Sequence, residues 1–530
     1  MRRLLICLSF SVCCFANTWV QLAEGSGLYH DHLPPFPAVA LPVLCLQALI
    51  AAALLAAWEF CRKTGLVRRR WLHYVFMATC LAPLGIAATA VLAAAPLRVA
   101  AVVRSRLFWP GAFLLALPLL AFALARPFRV SRILRGLLLY MCPAAALVLV
   151  QGLRLGALAY PSSAFLDGPL AHRLPSSGGP RVIWIIFDEM SQNVAFAHRP
   201  AGLDLSNLDQ MRAHGFYATA AFAPGSGTEV SLPALIIGEP VSEAWPAGPS
   251  QYMLRTASHP APFSWTSAVN VFDQARSLGV NSALVGWFHP YGRLLNRSLV
   301  SCTWADAPFV PGAEEPEAPA PLIAAMAQRA WRQLSVAPGT GHFAPFSPRS
   351  MIAAERGRRF VALARQAREV AADPSIRLAL LHLPVPHPPG FYDRARGALS
   401  TSAASGYVDN LALADRTLGD LWAAIEGAGL GGRTILLVSA DHGWRTGWRK
   451  EPGWTAEEEA AFDHRDNMGV PFLVRFPGDR AGVVYERRFD TVLTARLILD
   501  ALAGRITASS QLPGWIAAGG SAVSQRAQMK

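Results

Sequence analysis

Five apolar stretches crowd into the first 160 residues of this 530-residue chain, at Leu4–Leu22, Phe36–Phe60, Trp71–Leu97, Leu107–Ala125 and Leu137–Leu158. Each approaches the roughly 20 apolar residues that a helix needs to cross the hydrocarbon core of a bilayer. The first third of the chain therefore belongs in lipid. Charge follows the same division. Residues 1–160 hold 15 Lys/Arg against Glu24, Asp31 and Glu59, whereas the remainder holds 33 Lys/Arg against 32 Asp/Glu. The formal net charge of +13 thus lies beside apolar runs, where it acts as a topology signal. That placement excludes a nucleic-acid binder.

Two connectors are strongly basic: Arg62, Lys63, Arg68, Arg69 and Arg70, then Arg126, Arg129, Arg132 and Arg135. The positive-inside rule places both on the cytoplasmic face, and Arg2 and Arg3 put the start there too. Arg98, Arg104 and Arg106 fall on the opposite side in this scheme. Two basic loops outweigh one. The first stretch also has the pattern of a cleaved signal peptide, with a basic start and a short apolar run before Asn17 to Gly25. Five spans, or four after cleavage, both put residue 160 outside the membrane. The expected arrangement is an anchor over 1–160, a linker over 161–180, a second domain over 181–503 and a tail over 504–530. Seven of the eight cysteines lie in the apolar third; Cys302 alone lies beyond it, so the second part has no internal disulfide.

Beyond the Pro, Gly and Ser of Pro161–Pro180 comes Arg181-Val-Ile-Trp-Ile-Ile-Phe187, a continuous β-branched and aromatic run. Such runs form parallel strands covered on both faces. Similar runs occur at Ser282–Val285, Leu378–Leu383 and Thr434–Val438, with helical patterns at Met351–Ala372 and Ala404–Glu426. The alternation predicts an α/β domain with a central, mostly parallel sheet flanked by helices. Ala313–Phe346, rich in Pro and Ala, reads as an insertion.

In such sheets ligands gather beyond the carboxyl ends of the strands. Three apolar runs end in polar chemistry: Asp188-Glu189, His387-Pro388-Pro389 and Asp441-His442-Gly443. Carboxylates and imidazoles of this kind bind divalent metal. Taken singly, the first is also a helix N-cap pattern, the second a rigid loop and the third a turn.

Together these stretches resemble the alkaline phosphatase superfamily, in its membrane-anchored, sulfatase-like branch with phosphoethanolamine and phosphoglycerol transferases. Four segments carry the resemblance: Arg181–Glu189 (RVIWIIFDE), Thr228–Gly238 (TEVSLPALIIG), Ser439–Gly443 (SADHG) and Val470–Gly478 (VPFLVRFPG). Leu381–Tyr392 and Tyr407–Leu421 are weaker matches. The resemblance implies a divalent ion, Zn²⁺ or alternatively Mn, Mg or Ca, held by Asp188, Asp441 and His442 with Thr228 as the remaining ligand. Glu189 is a second metal-binding acid in sulfatases and otherwise a cap. Thr228 falls on the nucleophile position, with a helix N-cap as the plain alternative. His387 falls on an active-site histidine. His289 falls on a second, as a substrate-phosphate contact or a packed ring. His464 lies near where the transferases have a histidine by the leaving group, with a solvated loop as the alternative.

Departures from the sulfatase pattern narrow the chemistry. Conversion to formylglycine needs Cys or Ser, and the chain has Thr228. The arginine expected four residues later is Leu232, and the sulfate-binding lysine expected at 287 is Trp287. The resemblance therefore implies a multi-pass inner-membrane phosphotransferase with a periplasmic or extracellular catalytic domain. It would move phosphoethanolamine or phosphoglycerol from a membrane phospholipid to an envelope glycan or lipid through a phospho-threonine. The rivals are a sulfatase or phosphodiesterase of the same fold and a non-catalytic envelope assembly protein, which need not retain metal. A reporter active only in the cytoplasm, fused after Lys530, is expected to be silent; a bright signal would overturn the orientation.

Overall fold

The computed structural model describes residues 1–16, 19, 29, 41–93, 118, 120–158, 166–175, 178–306, 349–400, 405–445, 454–462 and 469–519. They fall into two compact units, one within Met1–Phe165 and one comprising Leu166–Ala307 and the chain from Arg349.

The first unit is helical: α1 (Arg2–Cys14), α2 (Leu41–Lys63), α3 (Arg70–Ala93), α4 (Pro127–Tyr140) and α5 (Cys142–Leu158). Ile6, Phe10 and Cys13 of α1 pack with Cys80, Ala87 and Leu138. Val12 and Phe15 pack with Val43 and Val148. Among the described residues three helical segments are long and apolar enough to cross a membrane: Val43–Lys63, Arg70–Ala88 and Pro127–Arg154. Helix α1, at 13 residues, is shorter than the expected first span, and most of Leu107–Ala125 lies outside the described residues. The basic connector at 62–70 is a short link, with a 3-10 turn at Leu66–Arg68. The second basic segment differs from the expected loop. Pro127 opens α4, so Arg129, Arg132 and Arg135 recur on helical turns. Proline fits the first turn because its missing N–H would have no partner there.

The second unit is built on an eight-stranded sheet. Its strands are β1 (Arg181–Phe187), β2 (Phe216–Ala218), β3 (Ser282–Phe288), β4 (Ser301–Asp306), β5 (Leu378–Leu383), β6 (Thr434–Ala440), β7 (Phe472–Arg475) and β8 (Val483–Tyr485). They lie in the order β8-β2-β7-β6-β1-β5-β3-β4. Pairs β6-β1-β5-β3-β4 and β2-β8 are parallel, and β7 runs against both β6 and β2. Strand β1 is buried along its whole length, as a central strand covered on both faces must be. The expected runs all became strands, and the expected helices became α7 (Arg349–Ala372) and α8 (Tyr407–Gly427), following α6 (Thr228–Ile237). A small antiparallel sheet over Val241–Gly248, Gln251–Thr256 and Phe263–Ser264 was not expected. The expected insertion at 313–346 lies outside the described residues.

Arg181 ties the amino edge of the sheet. Its fully buried guanidinium donates to the carbonyls of Ile376 (2.8 Å), Ala371 (2.9 Å) and Asp373 (3.2 Å) and to Thr434 Oγ1 (3.0 Å). The side chain thus joins β1 to the start of β6 and satisfies carbonyls at the end of α7, which have no partner within the helix. Removing it would leave several buried acceptors unpaired. Arg181→Ala is expected to lower unfolding free energy by about 3 kcal/mol, read from denaturant unfolding by tryptophan fluorescence. Arg181→Lys should fall between, because one ammonium cannot reach all four acceptors.

Candidate metal centre

The register of the central strands assembles the site. Phe187 of β1 pairs with Ala440 of β6 on one side and with Leu383 of β5 on the other. The next residues, Asp188 and Asp441, therefore emerge side by side at the carboxyl edge, and both are 0 % exposed. Asp441 Oδ1 accepts from the backbone N–H of Glu189 (3.0 Å) and of His442 (2.9 Å). Its Oδ2 accepts from the Thr228 hydroxyl at 2.7 Å. His442 Nε2 lies 3.3 Å from Asp188 Oδ1, 3.6 Å from Asp441 Oδ2 and 3.5 Å from Thr228 Oγ1. Four residues from three distant segments thus converge on one small volume.

Helix α6 presents Thr228. Gly227 is the N-cap, in extended backbone, so Thr228 occupies the first helical position and its side chain is free to reach Asp441. The capping alternative for Thr228 does not describe this geometry. A Cβ on Gly225 would come within 2.9 Å of Val230 Cγ1, so the turn leading into the helix packs too closely for a side chain.

Electrostatics give the cluster a need for positive charge. Burial, reinforced by Asp441, pushes Asp188 up to about 7. Asp441 is also buried, but His442, His382 and the Thr228 hydrogen bond hold it below its ordinary value. Burial works against charge on His442, yet Asp441, Asp188 and Glu189 raise it to about 10. Both Asp188 oxygens are buried, and among the described residues neither accepts a well-aligned hydrogen bond, with His442 Nε2 3.3 Å from Oδ1. His442 Nδ1 faces the Gly443 carbonyl at 2.9 Å, so Nδ1 keeps its proton when the ring is neutral, and loss of the other proton turns the Nε2 lone pair toward the carboxylates. Two carboxylates, a neutral imidazole and a hydroxyl are the donor set of a hard-to-borderline divalent cation. Asp188, Asp441 and His442 have ligand atoms within 4.8 Å of one another. The residues fit the group.

Asp188, Glu189 and His387 also meet this distance criterion, but positive charge is already built in there. The Arg445 guanidinium lies 3.2 Å from Glu189 Oε2 and 2.7 Å from His387 Nε2, and its backbone N–H donates to Glu189 Oε1 at 2.7 Å. Glu189 has φ 65, the left-handed region that side chains beyond glycine rarely adopt. Its carbonyl accepts from Tyr407 Oη at 2.8 Å, which helps hold that conformation.

The other expected histidines are placed differently. His387 follows β5, and its loop is held by Asn410 Nδ2, which donates to the carbonyls of His387 and Pro389, each at 3.3 Å. Burial and the nearby Arg356 and Arg445 push His387 well below its ordinary value, so its ring is neutral. His289 is 0 % exposed in a box of Tyr252, Trp265, Phe288 and Tyr291 rings. It reaches the site through the Thr228 carbonyl, 3.3 Å from its Nε2; of its two readings, the geometry is that of the packed ring. His464 lies outside the described residues.

Several neighbours escaped sequence reasoning. His382, one register step inside the edge, holds Nδ1 2.9 Å from Tyr291 Oη and Nε2 3.9 Å from Asp441 Oδ2. Burial lowers it to about 4, so it sits neutral against Asp441. A histidine inside the apolar run Leu378–Leu383 was the visible signal. Arg445, three residues past His442, was visible too. Arg356 on α7 carried no local signal.

Residues 180–502, more than half of the chain, match the Sulfatase family model. The chain belongs to the Sulfatase family. Solved structures similar to it include a phosphonate monoester hydrolase of Agrobacterium radiobacter (16% identity, 61% of this chain, 74% of that one, TM-score 0.37). Another is the lipoteichoic acid synthase LtaP of Listeria monocytogenes (11%, 62%, 75%, TM-score 0.36). A third is the PsFucS1 sulfatase from Pseudoalteromonas sp. (14%, 61%, 68%, TM-score 0.38). No curated protein matches the sequence. Family membership carries the coarse activity, hydrolysis or transfer of ester groups, and divalent-metal dependence.

Because His442 holds a proton in the metal-free cluster until pH rises through about 10, a cation must displace it. Titrating EDTA-stripped protein with Zn²⁺ at pH 7 is expected to release roughly one to two protons from the Asp188–His442 pair. Calorimetry in buffers of different ionisation enthalpy measures this, and affinity should weaken as pH falls. Binding without proton release would place the ion elsewhere.

Proposed function

We propose that this protein is a membrane-anchored, metal-dependent phosphotransferase. It moves a phosphoethanolamine or phosphoglycerol group from a phospholipid to an envelope glycan or lipid through a phospho-threonine at Thr228. The observation that carries the reading is the Thr228 hydroxyl at 2.7 Å from Asp441, at the position where a sulfatase needs a convertible Cys or Ser. Threonine can be phosphorylated and released but cannot become formylglycine.

In this reading Asp188, Asp441, His442 and Thr228 would hold the divalent ion, of the Zn²⁺ class. When bound, that ion supplies charge that lowers the hydroxyl pKa and neutralises the phosphoryl group. The Thr228 hydroxyl proton leaves along its hydrogen bond to Asp441 and on to solvent as Oγ attacks phosphorus in line; the Oγ–P bond forms and the bond to the diacylglycerol oxygen breaks. Asp441 accepts the hydroxyl's hydrogen bond and so aims a lone pair outward. Its lowered pKa makes it a weak base, which is why lowering the hydroxyl's own pKa matters. The leaving alkoxide takes a proton from solvent. An acceptor hydroxyl then attacks the phospho-threonine and restores Thr228. His289 fixes the Thr228 carbonyl through its Nε2, a positioning role.

The membrane segments support a lipid donor, since catalysis would occur at the surface where that donor lies. With Leu107–Ala125 crossing, as the sequence leads one to expect, the basic connector at 62–70 and the arginines at the start of α4 would fall on one side of the spans. By the positive-inside rule that side is cytoplasmic, and the catalytic unit is periplasmic or extracellular in a multi-pass inner-membrane protein.

The test is diacylglycerol release from phosphatidylethanolamine and phosphatidylglycerol vesicles by full-length protein, with mass spectrometry of the Thr228 peptide. Thr228→Ala is expected to lose about 10³-fold or more, by analogy with removal of other covalent nucleophiles. Thr228→Ser should keep partial activity because the oxygen stays. Turnover of a sulfate ester but of neither phospholipid, or full turnover in Thr228→Ala, would overturn the reading.

A further inference from the structure

Beyond Phe187 the backbone leaves the sheet through a turn whose first residue, Asp188, is a candidate metal ligand. No helix or strand ladder serves such a turn, so its buried polar groups need individual partners. Asp188 N–H donates to the Leu383 carbonyl at 3.0 Å, and the Asp188 carbonyl accepts from His387 N–H at 3.1 Å. Glu189 N–H goes to Asp441 Oδ1. The next two contacts are made by one atom. Tyr407 Oη donates to the Glu189 carbonyl at 2.8 Å and accepts from the Ser191 N–H at 2.9 Å. A phenol has one proton to give and lone pairs to receive, so both bonds form together. They clasp the peptide units on either side of Met190, directly after the residue held at φ 65. Left-handed backbone at a glutamate is unfavourable by itself and persists only where the surroundings over-determine it.

Tyr407 is itself firmly placed. It is the first residue of α8 and is 0 % exposed, and Glu458 accepts from its backbone N–H. A Cβ on Gly406 would come within 2.7 Å of Glu458 Oε1, so that carboxylate reaches the helix start only past a glycine. The ring stacks on Trp444, with centroids 4.3 Å apart and planes 13° from parallel, and Trp444 stacks in turn on Trp454. Trp444 lies two residues beyond His442, on the chain leaving β6. A single side chain thus touches both strand ends that supply the carboxylates of the cluster: its hydroxyl holds the end of β1 and its ring holds the end of β6. Packing alone would not need the oxygen, since phenylalanine fills nearly the same space.

We infer that Tyr407 is a positioning residue for the metal centre, whose hydroxyl fixes the Asp188–Glu189 turn so that Asp188 already faces Asp441 and His442 before an ion arrives. A group behind a ligand sets how much reorganisation binding requires, and removing such a group commonly weakens metal affinity about 10- to 100-fold. The inference rests on the metal cluster and not on which ester group is transferred.

The test compares Zn²⁺ binding to EDTA-stripped, full-length protein in non-ionic detergent by calorimetry. Tyr407→Phe, which deletes one oxygen, is expected to bind about tenfold or more weakly than wild type. Arg181→Lys, which loosens the opposite edge of the sheet, should keep wild-type affinity even where its melting temperature falls as far. Loaded with Co²⁺, Tyr407→Phe should show visible absorption bands shifted from those of wild type, because a displaced Asp188 alters the ligand geometry. Arg181→Lys should not. Wild-type affinity in Tyr407→Phe overturns the inference, as does an equal loss in Arg181→Lys, which would reduce the role to general stability. Affinity that Asp188→Asn leaves unchanged places the ion elsewhere and removes the positioning role with it. Hydrogen exchange on the wild type requires no variant to fold. The peptide covering 188–192 should exchange slowly with the metal stripped and change little when Zn²⁺ is added. Fast exchange that only Zn²⁺ slows would show that the ion, and not Tyr407, builds the turn.

Discussion

Two buried carboxylates held side by side dominate this molecule. The in-register pairing of β1 with β6 leaves Asp188 and Asp441 nowhere to diverge, because each follows the last residue of its strand. Both are fully buried, and like charges in such a place are costly without a cation. In the metal-free cluster a proton on His442 and a raised Asp188 relieve the repulsion. A divalent ion would relieve it better, and it would bring Thr228, already hydrogen-bonded to Asp441, under its charge.

Around this pair the domain distributes charge in an ordered way. On one flank Arg445 balances Glu189, and with Arg356 it encloses a neutral His387. On the other, neutral His382 and Tyr291 fill the space behind Asp441 without adding charge. His289 is used for packing and for a backbone contact. Three histidines near one another thus have three tasks, set by burial and by the charges beside each. Residue type alone does not distinguish them.

The helical unit and the catalytic unit answer to different physics. In the first, apolar helices satisfy their own backbone polar groups, as a segment able to enter lipid must. Arginines fall at the ends of apolar segments, as at 62–70, or on the opening turns of α4. In the second, the sheet buries its apolar runs on both faces and leaves chemistry to the edge where the strands stop.

Periodicity and strand-end residues made much of this legible in the sequence. The runs at 181–187, 378–383 and 434–440 could be little else than buried strands, and their polar endings marked one edge of a sheet. Asp188, Thr228, Asp441 and His442 were readable for that reason, since each is tied to a local pattern. The reading of Arg126–Arg135 as a loop failed because charge density says where a segment lies but not whether it is helical; Pro127 was the missed start signal. Arg356 could not be found, because its meeting with His387 depends on how α7 packs across the sheet, a long-range event with no local trace. The chain's own pattern determines the strands, the apolar segments and the polar residues that follow the strand ends, because these are set by neighbours in sequence. Tertiary structure decides which residue partners which charge, because burial and distance, and hence protonation, exist only once distant segments have packed.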